Sequence, residues 1–470
     1  MRRPPLTAVL HRADPPLSYA QERLWTVQKL DPSSPAYNVP FIVRLIGPLQ
    51  RDALWRSVVA LVSRHEALRT TFPIVGAAPV QRISSEPRFE RREVDLETLP
   101  VGGREPEALR LAYSDAVTPF DLTEGPLIRV LLARLGERDH VFAVTQHHII
   151  CDGWSVAIMA QELAALYAGD AAGRPIVLPV PPVQYADFAI WQRAILRGDS
   201  LAGHVHYWRS QLANMPALDL PIDASNLAAR MSKAAVGPMR LSARLTQAVH
   251  AFSRRERVTP FMTLLSALQI LLGKLTGQTD LAVGVPISGR AAKEVESVIG
   301  FFVNTVVIRT DLSGHPSFLD VVKQVRRRVL EAHAHGDVPF QLLLNVLGGA
   351  RRADRQLLFR VLFVLHEAAP TIGFAGLEVR PIPIVPPRAR FDLTLSLVEH
   401  GGHFRGGLEY ASDLFTANTI ARITEGYEHL LNRLLWAPNH AIEDLSWSAE
   451  ADGHRSTADR ETSHPIASDR

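Results

Sequence analysis

The chain has 470 residues, 47% hydrophobic and 21% charged, too long for one ordinary core, and two lobes are expected. Its formal net charge of +3, spread along the chain, does not indicate a nucleic-acid binder, and none is expected as a partner. One cysteine, Cys151, excludes an intramolecular disulfide, and no apolar run reaches the roughly 18 residues of a membrane span, so a cytoplasmic protein with no membrane association is expected.

Residues 1–14 read as an N-terminal extension. Ser18-Tyr19-Ala20-Gln21 has capping-box spacing, which predicts a helix bearing Leu24, Trp25, Val27 and Leu30 and ending near Asp31-Pro32. Residues 39–45 read as a strand and 52–68 as a helix. Strands broken by Gly76 and Pro87 are expected over 72–93, followed by a helix at 107–117, strands at 128–135 and 140–149, and a helix at 155–168. This alternation describes a mixed α/β (α+β) lobe over 15–175. The Pro-, Gly- and Ala-rich stretch 171–183 reads as a connection to a second lobe, 176–448. That lobe is expected to hold helices at 185–196 and 205–212, a loop over 218–236, and helices at 245–257 and 261–275. Strands follow at 281–287 and 302–311, helices at 317–332 and 338–347, strands at 358–366, 391–399 and 403–410, and an amphipathic helix at 416–435. The polar residues 449–470 read as a disordered tail.

The densest chemistry lies in His147-His148-Ile149-Ile150-Cys151-Asp152-Gly153, at the end of a strand and the start of a helix. Adjacent side chains on a strand point to opposite faces, so only one imidazole can enter a given cavity. A neutral histidine can accept a proton near pH 7, and Gly153 lets a substrate approach the backbone closely. The competing reading is a pair of buried histidines beside a turn aspartate, and the seven residues alone leave both open.

Other stretches settle the context. Leu17-Ser18-Tyr19-Ala20-Gln21-Glu22-Arg23-Leu24-Trp25, Arg64-His65-Glu66-Ala67-Leu68-Arg69-Thr70-Thr71-Phe72, Tyr185-Ala186-Asp187-Phe188-Ala189-Ile190-Trp191 and Ile299-Gly300-Phe301-Phe302-Val303-Asn304-Thr305 stand in order around the double histidine. With them, over about residues 15–440, the chain resembles a condensation domain of nonribosomal peptide synthetases, in the chloramphenicol-acetyltransferase-like superfamily. The resemblance implies two such lobes in a V-shaped pseudo-dimer with a central tunnel. It gives His148 the catalytic place, and the backbone N–H of Gly153 is a candidate oxyanion donor. It implies structural support from His147 and from a pair between Asp152 and Arg290. Asn304 and Arg64 are weaker candidates for contacting the substrate or carrier arm. No metal and no intrinsic cofactor are implied: 4′-phosphopantetheine would arrive on donor and acceptor carrier proteins, with a small amine or alcohol as a further acceptor and the enzyme a monomer.

The implied reaction is acyltransfer from a carrier-bound acyl or aminoacyl thioester to an amine, forming an amide. Alternatives are an ester-forming O-acyltransferase using a hydroxyl acceptor or a coenzyme A thioester, and a non-catalytic recruitment platform. The intact second histidine argues against the last. Two departures from the family pattern, Gln341 in place of Glu and Asp354 with Leu357 in place of Ser and Pro, fall on the acceptor side and keep the ester reading open. The initiating Met and the atypical tail favour a free-standing enzyme over a domain excised from a synthetase.

Overall fold

The computed structural model describes residues 4–9, 13–174, 176–223, 233–340, 342–343, 359–367, 373–385 and 388–447. The polar tail, the departures at 341, 354 and 357, and half of the helix expected at 338–347 lie outside the described residues.

The first helix, α1 (Tyr19–Leu30), starts as its sequence dictates: the Ser18 hydroxyl accepts the Gln21 N–H at 3.1 Å, and the Gln21 side chain accepts the Ser18 N–H at 3.0 Å. Strand β1 (Asn38–Ile46) and helix α2 (Arg51–Arg64) follow. The strands expected over 72–93 are fragments: β2 (Thr70–Thr71), β3 (Ile74–Val75), β4 (Ala78–Pro79) and β5 (Arg82–Ile83), before β6 (Glu90–Asp95). Gly76, at φ +64°, turns the chain between β3 and β4 and cuts the run short. Helix α3 (Val101–Val117) begins six residues before its expected start. That early stretch holds Gly102, Gly103 and Pro106, and Arg104 anchors it by donating to the carbonyls of Glu97, Leu99 and Leu135. Strands β7 (Ile128–Gly136) and β8 (Asp139–His147) form a hairpin, and α4 (Gly153–Ala171) completes the first half.

The second half contains α5 (Tyr185–Ile195), α6 (Gly198–Leu212), β9 (Ala234–Arg240), α7 (Ala243–Glu256), α8 (Pro260–Thr276), β10 (Asp280–Ile287) and β11 (Asn304–Asp311). It continues with α9 (Phe318–Ala334), β12 (Val361–His366), β13 (Glu378–Pro381), β14 (Leu393–His400), β15 (His403–Ala411) and α10 (Ala417–Trp436). Strand β9 takes over the end of the expected loop at 218–236.

The strands form two larger open sheets, ordered β13-β1-β8-β7-β6 and β11-β10-β12-β14-β15-β9. In the first, only β6–β7 is parallel; in the second, β10–β12 and β12–β14 are. Helix α8 is buried continuously from Met262 to Gly273 behind the second sheet, so its apolar residues encircle it rather than forming a stripe. Among the described residues no single helix is long and apolar enough to cross a membrane, and α7 with α8 reaches that length only as a pair bent by 106°.

No sequence pattern announces strand β13. It is four largely exposed residues, Glu-Val-Arg-Pro, without apolar alternation, and it comes from the half assigned to the second lobe. It nevertheless pairs antiparallel with β1, Val43 opposite Pro381 and Ile46 opposite Glu378, and closes the edge of the first sheet. Pro381 is compatible with that edge because it lacks an N–H to donate. The chain thus crosses the seam at β13 and returns for β14.

Ser18 also joins the halves, because its hydroxyl meets the Tyr185 hydroxyl at 2.8 Å. Replacing Ser18 with Ala removes the cap and this contact. The expected loss is about 1–2 kcal/mol of stability, visible as a lower urea midpoint.

Candidate functional site

Strand β8 is central in its sheet and buried on both faces. Phe142 and Val144 pack into one core with α2 and α4, while Val141 and Ala143 pack on the other side against Ala108, Leu111 and Ala112 of α3. Its end is held on both sides: the His147 N–H donates to Leu127 O at 3.0 Å and the His148 N–H to Tyr37 O at 2.8 Å. A short 3-10 turn, His148–Ile150, then leads into α4. Rigid strand geometry therefore delivers the double histidine to the seam.

The imidazoles have opposite fates. His147 is buried, and its Nδ1 accepts the Ile149 N–H at 3.1 Å, which places its proton on Nε2. That Nε2 is buried without a partner among the described residues. Burial pushes the His147 pKa down to about 3. The His148 ring lies edge-on to Phe301, with centroids 4.7 Å apart, and retains solvent contact. Its Nδ1 lies 2.5 Å from Cys151 O; a carbonyl can only accept, so Nδ1 carries the proton and Nε2 keeps the lone pair. Burial, and after it the positive charge of Arg390, lowers the His148 pKa to about 4.

Behind the histidines lies a buried ion pair. Asp152 caps α4, its Oδ1 accepting the Ser155 N–H at 2.8 Å and an Arg290 Nη2 hydrogen at 3.1 Å, while Oδ2 accepts the Phe302 N–H at 3.0 Å. Arg290 Nη1 donates to Val295 O and Val298 O, and its guanidinium lies 4.0 Å from the Phe302 ring centre. The Ser155 hydroxyl lies within hydrogen-bond reach of Asp152 Oδ1, Arg290 Nη2, and both the N–H and the carbonyl of Gly300. Sequence reasoning found the Asp152–Arg290 pair but missed Ser155 as its hub. The signal was present, since a serine three residues after a capping aspartate sits where a helix start gathers hydrogen bonds.

The stretch Ile299–Phe302 is shared between cores: Ile299 and Phe301 enter the first-lobe core, while Val298 and Phe302 join Tyr185, Phe188 and Leu6 in a cluster at the seam. Gly300 is required there, because a Cβ would lie 1.9 Å from the Tyr185 ring. The Tyr185 hydroxyl donates to Phe301 O.

The remaining candidates separate. Gly153 begins α4 at an ordinary backbone angle, and a Cβ there would meet nothing within 4 Å. Cys151 is fully buried, and burial pushes its thiol pKa well up, away from the nucleophilic thiolate. Asn304, expected at the substrate or arm, instead clamps a turn: its amide donates to Gly336 O and Val338 O, and its oxygen accepts the Phe340 N–H. Arg64, the other expected arm contact, is engaged by Glu162 and by the carbonyls of Leu178 and Pro179. A small cleft bordered by Trp191, Gln192, Phe302 and Asn304 lies at the seam, but His148 does not line it. Among the described residues no group of three or more His, Cys, Asp or Glu side chains could hold a metal.

With this geometry established, the sequence model of the condensation domain matches residues 12–454. The chain belongs to the condensation-domain family. This condensation domain is 40% identical over 445 residues to one of the linear gramicidin synthase proteins of Brevibacillus parabrevis, covering 94% of the chain and 6% of that protein. It is 38% identical over 439 residues to phosphinothricin tripeptide synthetase PhsC of Streptomyces viridochromogenes, covering 93% of the chain and 40% of that protein. The chain thus spans well under half the length of these relatives. Among solved structures, the X-domain of teicoplanin biosynthesis, in complex with OxyB, superposes with a TM-score of 0.84 at 28% identity over 95% of this chain and 99% of that one. SgcC5 of Streptomyces globisporus does so at 0.75 and 27% identity over 91% and 100%. The mixed α/β architecture is that of the family.

Two outcomes follow. Arg290→Met leaves the Asp152 carboxylate buried without its cation and is expected to cost about 3–5 kcal/mol, with Asp152→Asn in the same chain restoring part of it in urea titrations. Because both histidines bind protons more weakly folded than unfolded, stability is present above about pH 6.5 and lost as pH falls toward about 4 and then 3. His148→Asn should make melting temperature less steeply dependent on pH over that window.

Proposed function

We propose that this condensation domain transfers an acyl or aminoacyl group from a carrier-protein thioester to an amine, with His148 at the reacting centre. The observation that carries this reading is the fixed tautomer of His148: Nδ1–H is held by Cys151 O, and Nε2 is left with its lone pair and no partner among the described residues. An incoming amine donates an N–H to Nε2, which aims its nitrogen at the thioester carbonyl. As the C–N bond forms, the nitrogen gains positive charge and the carbonyl oxygen negative charge. Collapse of the tetrahedral species breaks the C–S bond, and the proton lost by the amine ends on the departing pantetheine thiolate. An imidazole with a pKa near 4 holds a proton weakly, so its larger contribution is to position the nucleophile and pass the proton on.

The N–H groups that open α4, at Gly153 and Trp154, are the donors for the developing oxyanion, since a helix N-terminus presents unpaired N–H groups and favours negative charge. The 4′-phosphopantetheine arms come with the carrier partners and are substrate here. A second reading, ester formation with a hydroxyl acceptor, is favoured by SgcC5, whose structure holds a naphthyl ethanediol. The X-domain likeness favours a recruitment platform, against which the undamaged His148 arrangement stands.

Incubation with a loaded donor carrier and a panel of amine and alcohol acceptors tests these readings. Carrier-dependent amide that falls at least about 100-fold in His148→Ala supports the proposal. Ester alone supports the second reading, and carrier binding without product in the wild type overturns both. Gly153→Ala should leave the melting temperature unchanged, because the protein has room for the methyl group, while slowing transfer about 10-fold by crowding the substrate. An unchanged rate would remove Gly153 from the reaction path.

A further inference from the structure

Phe301 comes from the half of the chain assigned to the second lobe, yet it enters the first-lobe core, in the same cluster as Ile149 and Ile150 of the turn that carries His148. The backbone around it is pinned. The Gly300 N–H donates to Ser155 Oγ at 3.0 Å, the Tyr185 hydroxyl donates to Phe301 O, and the Phe302 N–H donates to Asp152 Oδ2 at 3.0 Å. Gly300 lies so close to the Tyr185 ring that this stretch has no room to slide. From this clamp the Phe301 side chain projects, 6% exposed, and its ring centre stands 4.7 Å from that of His148 with the two planes at 60°.

We propose that Phe301 is a positioning residue for the reaction: its ring holds the His148 imidazole at one tilt, so that the Nε2 lone pair points in a fixed direction. This rests on the reading of His148 as the reacting centre. One hydrogen bond does not fix that tilt. The torsion that turns an imidazole about its Cβ is broad and roughly two-fold, so a ring held only at Nδ1 rocks about that bond and sweeps Nε2 through an arc. The bond from Nδ1 to Cys151 O is such a single hold. The His148 N–H bond to Tyr37 O fixes the main chain and leaves the ring free to turn. Phe301 supplies the second hold. Its distance and angle lie in the range aromatic rings favour, where the positive edge of one ring meets the negative face of the other. The hold arrives from across the seam, so the aim of Nε2 depends on the joint that Asp152, Ser155 and Arg290 make behind it. Aim matters, because displacing a reacting group by about 1 Å costs on the order of 100-fold in rate.

The test pairs a spectroscopic and a kinetic readout on Phe301→Leu, which keeps apolar bulk without a ring, and on Phe301→Ala. Protein labelled with ¹⁵N at histidine, with His148→Asn assigning the signal, should show a slowly exchanging His148 Nδ1–H in the wild type. In Phe301→Leu its exchange with water should quicken at least about 10-fold. Transfer from a loaded donor carrier to an amine should lose at least about 10-fold in kcat, with KM within about 2-fold of wild type. Phe301→Ala should exceed both changes, and the Leu variant covers the case in which the larger cavity prevents folding. A folded Leu variant in which either readout stays at the wild-type value overturns the proposal. So does a loss carried by KM alone, because the nucleophile would then be bound less well and aimed as before. The exchange measurement needs no substrate, so failure of the parent reading, seen as wild-type transfer by His148→Ala, is separable from failure of this one.

Discussion

Asp152 is fully buried at the start of α4, and a carboxylate removed from water is tolerated only when its charge and its lone pairs are matched. The match comes from 138 residues further along the chain, through Arg290, and from the Phe302 N–H. Satisfying this one group ties the loop after β8 to the segment 290–302, and with it the first lobe to the second. Ser155 and Gly300 complete the joint, and Trp154 adds a bond from its indole N–H to Glu296 O. A buried pair of this kind contributes little net stability when intact, but it is costly to break. Its value here is geometric: it fixes where α4 begins, and hence where His148 and Gly153 stand.

The same joint explains the unequal histidines. The strand alternates its side chains, so the neighbour of an imidazole that faces the seam must enter the core, and His147 does. Its buried Nδ1 then serves as an acceptor that shapes the turn beneath His148. His148 has its Nδ1–H consumed by the turn itself, which orients the ring and leaves Nε2 without a partner among the described residues. His147 is a structural element of the turn, whereas His148 presents its ring beside Phe301.

The crossover at β13 adds the second constraint. By joining β1, a segment of the second half reaches the edge of the first sheet, and the returning chain lays Arg388 and Arg390 against Asp31, Ala36 and Tyr37. The lobes are therefore held at two places, behind the histidines by Asp152–Arg290 and beside them by this return.

Much of this was legible in the residues. Capping-box spacing announced α1, strand-like apolar runs announced β1 and β8, and the ordered motifs carried the family and pointed to the partner of Asp152. These are local signals, or patterns that keep their meaning without knowing what packs on them. What stayed hidden depends on distant chain. The strand at Glu378–Pro381 has no strand-like pattern because its pairing is supplied by β1 alone. Helix α3 starts over two glycines because Arg104 finds three carbonyls to hold. Asn304 and Arg64 are only weak candidates for ligand contacts in sequence, since a polar side chain in a motif does not state whether its partner is a substrate or a turn. Sequence by itself determined the family and its mixed α/β fold, and it singled out His148 as the residue on which the proposed function rests. Only the tertiary structure decided which nitrogen of that histidine is free, because the hydrogen bond to Cys151 O exists only in the folded turn, and how the following loop is held, because Arg290 and Phe302 come from across the seam.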